Sequence, residues 1–488
     1  MVAAPAFPTA LPPTLTPAVC SRALDARDAR FDGLFFVGIT TTRIYCRPVC
    51  PARVSYHERR RFFDTAASAE RAGFRPCLRC RPELAPGRAV IDAVPNLARV
   101  AAQRIAAGAL NGRDVGQLAH ELGVSDRHLR RVLERELGVS PLELAQTHRL
   151  LLAKRLLADT SLPVTRIAYA SGFQSLRRFN SVFRERYRLR PSAIRRQPSG
   201  GSPESGDLVR LTLVYRPPFA WEVLLGLLRL GALPEVEAVE AERYARSVRL
   251  EGRSGIVLVE RPEASGTHLV AHVSSSLLPV LMPLLARLRH LLDLDAEPTA
   301  VDAHLARGGL AAEVARRPGL RMPGAFDGFE AAVRVLVGSR EESAPMRELI
   351  RTYGEPIDAG VAGITRLAPE PARLARAAGA ELAVLGVPRR RADAMVAVAR
   401  ALTQGVLWLE PGSDPRAARR ALRALDGIDD GLANAIVAHA LHWPDAFSAS
   451  DRALQRAAHA SSARALLARA ESWRPWRAYA ALHLRLET

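Results

Sequence analysis

The chain has 488 residues, enough for three or four domains that each bury a core, and carries 69 basic against 50 acidic residues for a formal charge of +19. That balance points to a polyanionic partner, nucleic acid first, although part of the arginine excess reflects composition, since Lys154 is the sole lysine. A membrane span is excluded because the longest apolar stretch, residues 277 to 292, contains Pro279, Pro283, Arg287, Arg289 and His290; without a secretory signal either, the expected location is cytoplasmic.

In chain order, proline-rich residues 1–19 read as a loose tail, and residues 20–86 as a compact module holding four of the five cysteines. Residues 90–196 repeat apolar positions at helical spacing between short glycine turns. The stretch 197–206, QPSGGSPESG, reads as a flexible linker. Val209, Leu211, Leu213 and Tyr215 then alternate as a strand, a helical run covers Trp221 to Leu230, and strand-like segments near 243–250, 255–260 and 268–274 precede a helix at 277–292. Residues 207–298 therefore predict a small antiparallel α+β domain. From 299 to 488 the pattern is helical, with turns at Gly324, Gly386 and Gly427.

In RIYCRPVCPARVSYHERRRFFDTAASAERAGFRPCLRC, Cys46 and Cys50 bracket three residues, Cys77 and Cys80 bracket two, and 26 residues separate the pairs. Two close pairs set apart by a small fold predict a tetrahedral thiolate site for Zn2+, which on spacing alone is a structural staple. The flanks TTRIYCRPVC and AGFRPCLRC resemble the N-terminal domain of the Ada adaptive-response proteins over about 65 residues. That resemblance implies that Cys46 is both a zinc ligand and the nucleophile that accepts a methyl group from a DNA methylphosphotriester, with Cys50, Cys77 and Cys80 as fellow ligands. The chemistry is reasonable, because zinc holds the thiolates deprotonated at neutral pH and phosphodiester is the leaving group. Methylation removes one negative charge, so repulsion from DNA falls while Arg43, Arg47, Arg53 and Arg75 remain for phosphate contacts.

Two segments between 113 and 196, DVGQLAHELGVSDRHLRRVLERELG and VTRIAYASGFQSLRRFNSVFRERYRLRP, follow helix-turn-helix grammar. Each has a short apolar helix, a glycine turn, a serine N-cap (Ser125, Ser175) and an arginine-rich helix, with a local excess of +9. The region resembles the AraC-type DNA-binding domain. Arg127, His128, Arg130, Arg131, Arg177, Arg178 and Asn180 are the expected groove-facing side chains on double-stranded DNA, and RNA polymerase is the expected partner of an activator.

The second half lacks the PCHR motif of an O6-methylguanine methyltransferase, and no cysteine follows Cys80. Residues 207 to 487 instead resemble AlkA-type 3-methyladenine DNA glycosylases, carried by PGLRMPGAFDGFEAAVRVLVG, LGVPRRRADAMVAVARAL, LRALDGIDDGLANAIVAHAL and WRPWRAYAALHL. The resemblance implies a helix-hairpin-helix at the third segment, with Gly427 letting backbone amides approach a phosphate, and a catalytic aspartate at Asp451 in FSASDRALQ. Asp451 would stabilise the oxocarbenium charge as the N-glycosidic bond of a flipped alkylpurine breaks; its bland alternative is a helix cap. Strand cleavage is not expected, because Gly431 stands where the lyases carry a Schiff-base lysine. Departures are plain: Asp429 replaces the second hairpin glycine, Gly431, Ala435, Arg485 and Leu486 stand at aromatic pocket positions, and Arg340 replaces an apolar wedge. Trp473, Trp476 and Tyr479 read as core aromatics.

The fold class expected is multidomain α+β: a small zinc-binding α/β module, an all-α double helix-turn-helix domain, a small antiparallel α+β domain and an all-α helix-hairpin-helix glycosylase domain. The expected function is alkylation repair joined to its transcriptional control. The alternatives are a methylation-responsive transcription factor whose glycosylase-like half is catalytically inactive, and a zinc-stapled regulator with no repair chemistry.

Overall fold

A computed structural model describes residues 15–52, 57–87, 97–195, 207–262, 266–338 and 344–486. The linker 197–206, Arg53, Arg340 and most of the expected tail lie outside the described residues. The chain divides into two compact units, one holding the N-terminal residues through Arg216 with Leu278–Ala286, the other holding Pro217–Leu277 and Arg287 onward. Among the described residues no helix is long and apolar enough to cross a membrane.

The first unit opens with a helix, Pro17–Asp25, that starts inside the stretch expected as a tail. Thr16 accepts from the Val19 amide and a proline occupies its first turn, so the local sequence starts a helix there. A four-stranded sheet follows, with β1 (Phe36–Ile39), β2 (Ile44–Cys46), β3 (Arg60–Phe63) and β4 (Arg75–Pro76) in the order β3-β1-β2-β4. All pairings are antiparallel except β2 with β4. Helix Ala66–Arg71, begun by a Thr65/Ser68 capping box, makes the crossover that this parallel pair requires.

The helical part follows the predicted grammar closely. Ser125 caps Asp126–Leu137 and Ser175 caps Leu176–Tyr187, each accepting from the amide three residues on. Their short partners are Val115–Glu121 and Val164–Ala170. Between the two pairs runs the 19-residue helix Pro141–Asp159, started by Ser140, Pro141 and Glu143 as a capping box. Leu144, Leu150, Leu151, Leu152 and Leu156 are all buried, covering more than one face, so this helix is the central spine of the unit.

In the second unit, Glu237–Val239, Arg243–Leu250, Arg253–Glu260 and His268–Ser274 form an antiparallel meander; the last three match predicted strands, Glu237–Val239 was not predicted, and the strand predicted from Val209 to Tyr215 is present as Leu208–Val214. Glu251 and Gly252 both take positive φ (49° and 74°), the geometry of a two-residue hairpin turn that matches strand twist. The helix expected at 277–292 is shorter: Ser275–Val280 is a 3-10 turn, and the α-helix runs from Leu281 to Leu291, because Pro279 cannot supply an interior amide donor. Helices Gly328–Val337, Arg389–Thr403 and Asp430–Ala440 meet around Phe329, Leu336, Met395, Val398, Ile436 and Val437. A separate cluster joins Val301, Leu305, Leu454, Leu466, Trp473 and Leu484, and brings the helix after Asp451 against the C-terminal helix Arg477–Arg485. Buried Arg246 ties the meander to Gly328–Val337 through its Nη2, which donates to both carboxylate oxygens of Glu330 (2.7 and 3.0 Å).

Candidate metal centre and nucleic-acid interface

The parallel pairing of β2 with β4 builds the sulfur centre. It sets Ile44 beside Arg75 and Tyr45 beside Pro76, and the Cys77 amide donates to the Tyr45 carbonyl at 2.9 Å, so Cys46 and Cys77 leave the sheet at the same end. A tight turn closed by Cys50 N–H to the Arg47 carbonyl (3.1 Å) returns Cys50 to the same place. The ligand sulfurs of Cys46, Cys50, Cys77 and Cys80 all lie within 4.8 Å of one another. A tetrahedral Zn2+ site with Zn–S bonds of about 2.3 Å needs sulfurs about 3.8 Å apart, so this all-thiol set fits that ion. Backbone amides of Arg47 and Arg79 donate to the Cys80 and Cys77 sulfurs at 3.3 Å, which suits thiolates. All four cysteines are buried, Cys46 at 9%, Cys77 at 7%, Cys80 at 6% and Cys50 at 2% exposed. The fifth cysteine, Cys20, is fully buried beside Phe35, and burial pushes its thiol up to about 11; it is a core residue.

The arginines around the centre divide. Arg43 is exposed, in left-handed backbone (φ 54°), and half-buried Arg75 donates its amide to the Arg43 carbonyl at 2.8 Å. Arg47 departs from the expectation of a free phosphate contact. It is 7% exposed, and its guanidinium is occupied by buried Asp32 and by the Cys80 carbonyl at 3.1 Å. It braces the metal loop instead.

On the helix-turn-helix surface Arg127, Arg131, Arg177 and Arg178 are exposed, His128 and Asn180 half-buried. Arg131 reaches His128 Nδ1 at 3.2 Å, and Arg130 is held by Asp126 one turn earlier at 2.7 Å, an exposed pair that DNA phosphate can displace.

A buried carboxylate, Glu70, joins the sulfur module to these helices. It accepts from Tyr45 Oη (3.1 Å) and Thr147 Oγ1 (2.9 Å) and faces Arg186 at 3.4 Å. Burial pushes it up to about 7, against the opposing pull of Arg186. Because the folded value exceeds the ordinary one of 4.5, its stabilising contribution is complete below pH about 4.5 and is lost as pH rises through about 7. Glu70→Gln should flatten this dependence: urea unfolding of the variant between pH 5 and 8 is expected to show a smaller fall in stability than the wild type, and an equal fall would refute the assignment.

In the second unit Gly427 adopts φ 83°, and a Cβ there would stand 2.8 Å from the Arg390 carbonyl, so glycine is required by the close approach. It borders a cavity of about 340 Å³ lined by Arg390, Arg391, Asp429, Gly431 and Leu432. Asp429 caps Asp430–Ala440, accepting from the Leu432 amide at 2.8 Å, and so places a carboxylate at the helix start. Arg390 and Arg391 supply the positive charge there, from the Arg389-Arg390-Arg391 run that was the available sequence signal. Asp451 caps Arg452–Ala457, its Oδ1 accepting from the Ala453 and Leu454 amides at 2.9 and 3.1 Å. Its Oδ2 is paired with Arg485. Burial would push the Asp451 carboxyl up, but the Leu454 amide and Arg485 outweigh it and hold it below the usual range. Trp473 and Tyr479 are buried, their polar tips satisfied by the Gly308 carbonyl (3.0 Å) and Asp293 (2.6 Å); Trp476 lies edge-on to His304.

Three family descriptions match the chain: metal binding domain of Ada over residues 19–83, helix-turn-helix domain over 118–197 and AlkA N-terminal domain over 210–327. A probable bifunctional transcriptional activator/DNA repair enzyme AlkA of Mycobacterium tuberculosis is 37% identical over 478 residues, 95% of each chain. DNA-3-methyladenine glycosylase 2 of Escherichia coli is 33% identical over 277 residues, covering 56% of this chain and 95% of that one. The bifunctional transcriptional activator/DNA repair enzyme Ada of Escherichia coli is 35% identical over 117 residues, 24% and 31% of the two chains. With a four-sulfur zinc centre, paired helix-turn-helix units and a likeness that runs almost end to end, the chain belongs to the AlkA/Ada family of bifunctional transcriptional activators and DNA repair enzymes.

Proposed function

We propose that Cys46 accepts a methyl group from a methylphosphotriester in double-stranded DNA and thereby strengthens DNA binding, and that the second half hydrolyses the N-glycosidic bond of alkylated purines such as 3-methyladenine. The observation that carries the first part is the convergence of the four sulfurs of Cys46, Cys50, Cys77 and Cys80. Bound Zn2+ supplies thiolate character at neutral pH. Cys46 Sγ attacks the methyl carbon, the C–O bond breaks, and its electron pair leaves on the phosphodiester oxygen. Arg43 and Arg75 flank the centre, and Arg127, Arg131, Arg177, Arg178 and Asn180 provide the DNA-reading side chains, with RNA polymerase as the partner at promoters. The cytoplasm is the compartment that keeps such thiols reduced.

For the second part Asp451, at the start of Arg452–Ala457, is the working carboxylate, and Gly427 is the hairpin glycine that lets backbone amides approach a phosphate. Release of free 3-methyladenine from methylated duplex by the full chain is the expected result; methylated Cys46 with no base release would instead support a regulator with a silent glycosylase half. One observation favours that second reading: Arg485 neutralises Asp451. The pair is partly exposed, which limits its strength. Arg485→Gln is therefore expected to raise base release by roughly two- to fivefold, measured as single-turnover excision; a lower rate in the variant would show that Arg485 assists the chemistry.

A further inference from the structure

A chain with 69 basic residues uses lysine once, and buries it. Lys154, in the spine helix Pro141–Asp159, is 2% exposed; its ammonium donates to the Cys77 carbonyl at 3.1 Å and to the Glu83 carboxylate at 2.5 Å. The Glu83 side chain is equally buried, and neighbouring Arg81 pairs with Asp159 at 2.6 Å, at the end of the same helix. A compact ammonium suits this enclosed site better than a planar guanidinium. Burial of an ion pair costs desolvation that an apolar pair of similar size would avoid, so stability alone does not account for it. A second link starts at the residue before Cys46: Tyr45 Oη meets Glu70, which accepts from Thr147 on the spine and pairs with Arg186 in the last turn of Leu176–Tyr187.

We propose that Lys154 and Glu70 are positioning residues of a buried polar relay that carries the state of the four-sulfur centre to the second helix-turn-helix unit. The relay rests on the methylation of Cys46 argued above. Forming the S–CH3 bond at the expense of the phosphotriester C–O bond removes one negative charge from the sulfur set. Lys154 senses that loss from the carbonyl of a ligating cysteine, and Tyr45 from the residue adjoining the acceptor, both where water does not screen the charge. Because both links end on the spine or the recognition helix, the arrangement of Leu176–Tyr187 depends on whether Cys46 is methylated. Charge loss at the DNA-facing surface then has an internal counterpart.

The test uses the full zinc-loaded chain, a duplex carrying one methylphosphotriester, and amide hydrogen exchange after the DNA is removed at high salt. In the wild type, methylation is expected to change exchange within Leu176–Tyr187 by about threefold or more. Lys154→Met/Glu83→Gln should take up the same single methyl on Cys46 and show less than about half of that response. Should the double variant fail to fold, Tyr45→Phe, which removes only a hydroxyl, carries the same expectation through Glu70. Equal responses in wild type and variant overturn the relay. A methylated wild type with no change in exchange overturns it and leaves methyl transfer standing, whereas an unmethylated Cys46 overturns both.

Discussion

Asp451→Asn is expected to lower single-turnover release of 3-methyladenine by about two orders of magnitude or more, the usual scale for removing a charged group aimed at the reacting centre. Asparagine keeps the carbonyl oxygen that accepts from the Ala453 and Leu454 amides, so the cap on Arg452–Ala457 survives. What disappears is the negative charge that opposes the developing oxocarbenium ion. Asp451→Ala would confuse the two effects, because loss of the cap alone costs about 1 kcal/mol. Unchanged thermal unfolding of the asparagine variant should accompany the loss. Equal release by wild type and Asp451→Asn would remove this residue from the chemistry and leave it as a cap paired with Arg485.

Loss of a metal ligand should have the larger effect on folding. The sulfur module has no single large core: Leu24 and Val37 pack around the four cysteines themselves, while Phe36, Tyr45, Phe63 and Phe74 form a second small cluster and Cys20 and Phe35 belong to a third. Domains of this size depend on a staple, and structural Zn2+ contributes about 10–16 kcal/mol of apparent binding energy in small zinc domains. Chelation, or Cys77→Ala, is expected to expose the amides of β1 and β2 to rapid hydrogen exchange. The helix Pro141–Asp159 should loosen as well, because Lys154 and Thr147 lose their partners in the module. Protection of β2 that survives metal removal would show that the sulfurs are dispensable for the fold.

What could be read from the sequence was mostly local. Cysteine spacing specifies a metal site because ligands in close pairs return to one point after a short turn, and the structure brings together all four that were expected. Ser125 and Ser175 were legible as caps because a serine before an amphipathic run leaves few other uses. The missed features are long-range pairings of charge. Arg47 looked like a phosphate contact, but Asp32, fifteen positions earlier, buries it. Asp451 and Arg485 stand 34 positions apart and meet only because the two final helical segments share a core. Lys154 stood out in the sequence as the sole lysine, but its partners, 71 and 77 positions away, were not visible. The start of the helix after the meander was misplaced for a local reason, since Pro279 shortens what apolar periodicity extends.

The central claim is that the sulfur centre is a chemical sensor and not only a staple. Mass spectrometry of the full zinc-loaded chain, after incubation with a duplex carrying methylphosphotriesters, tests it directly. One methyl group per chain, on the peptide containing Cys46 and absent from Cys46→Ser, is the expected result. Contradiction would be a folded, zinc-bound protein in which Cys46 stays unmodified.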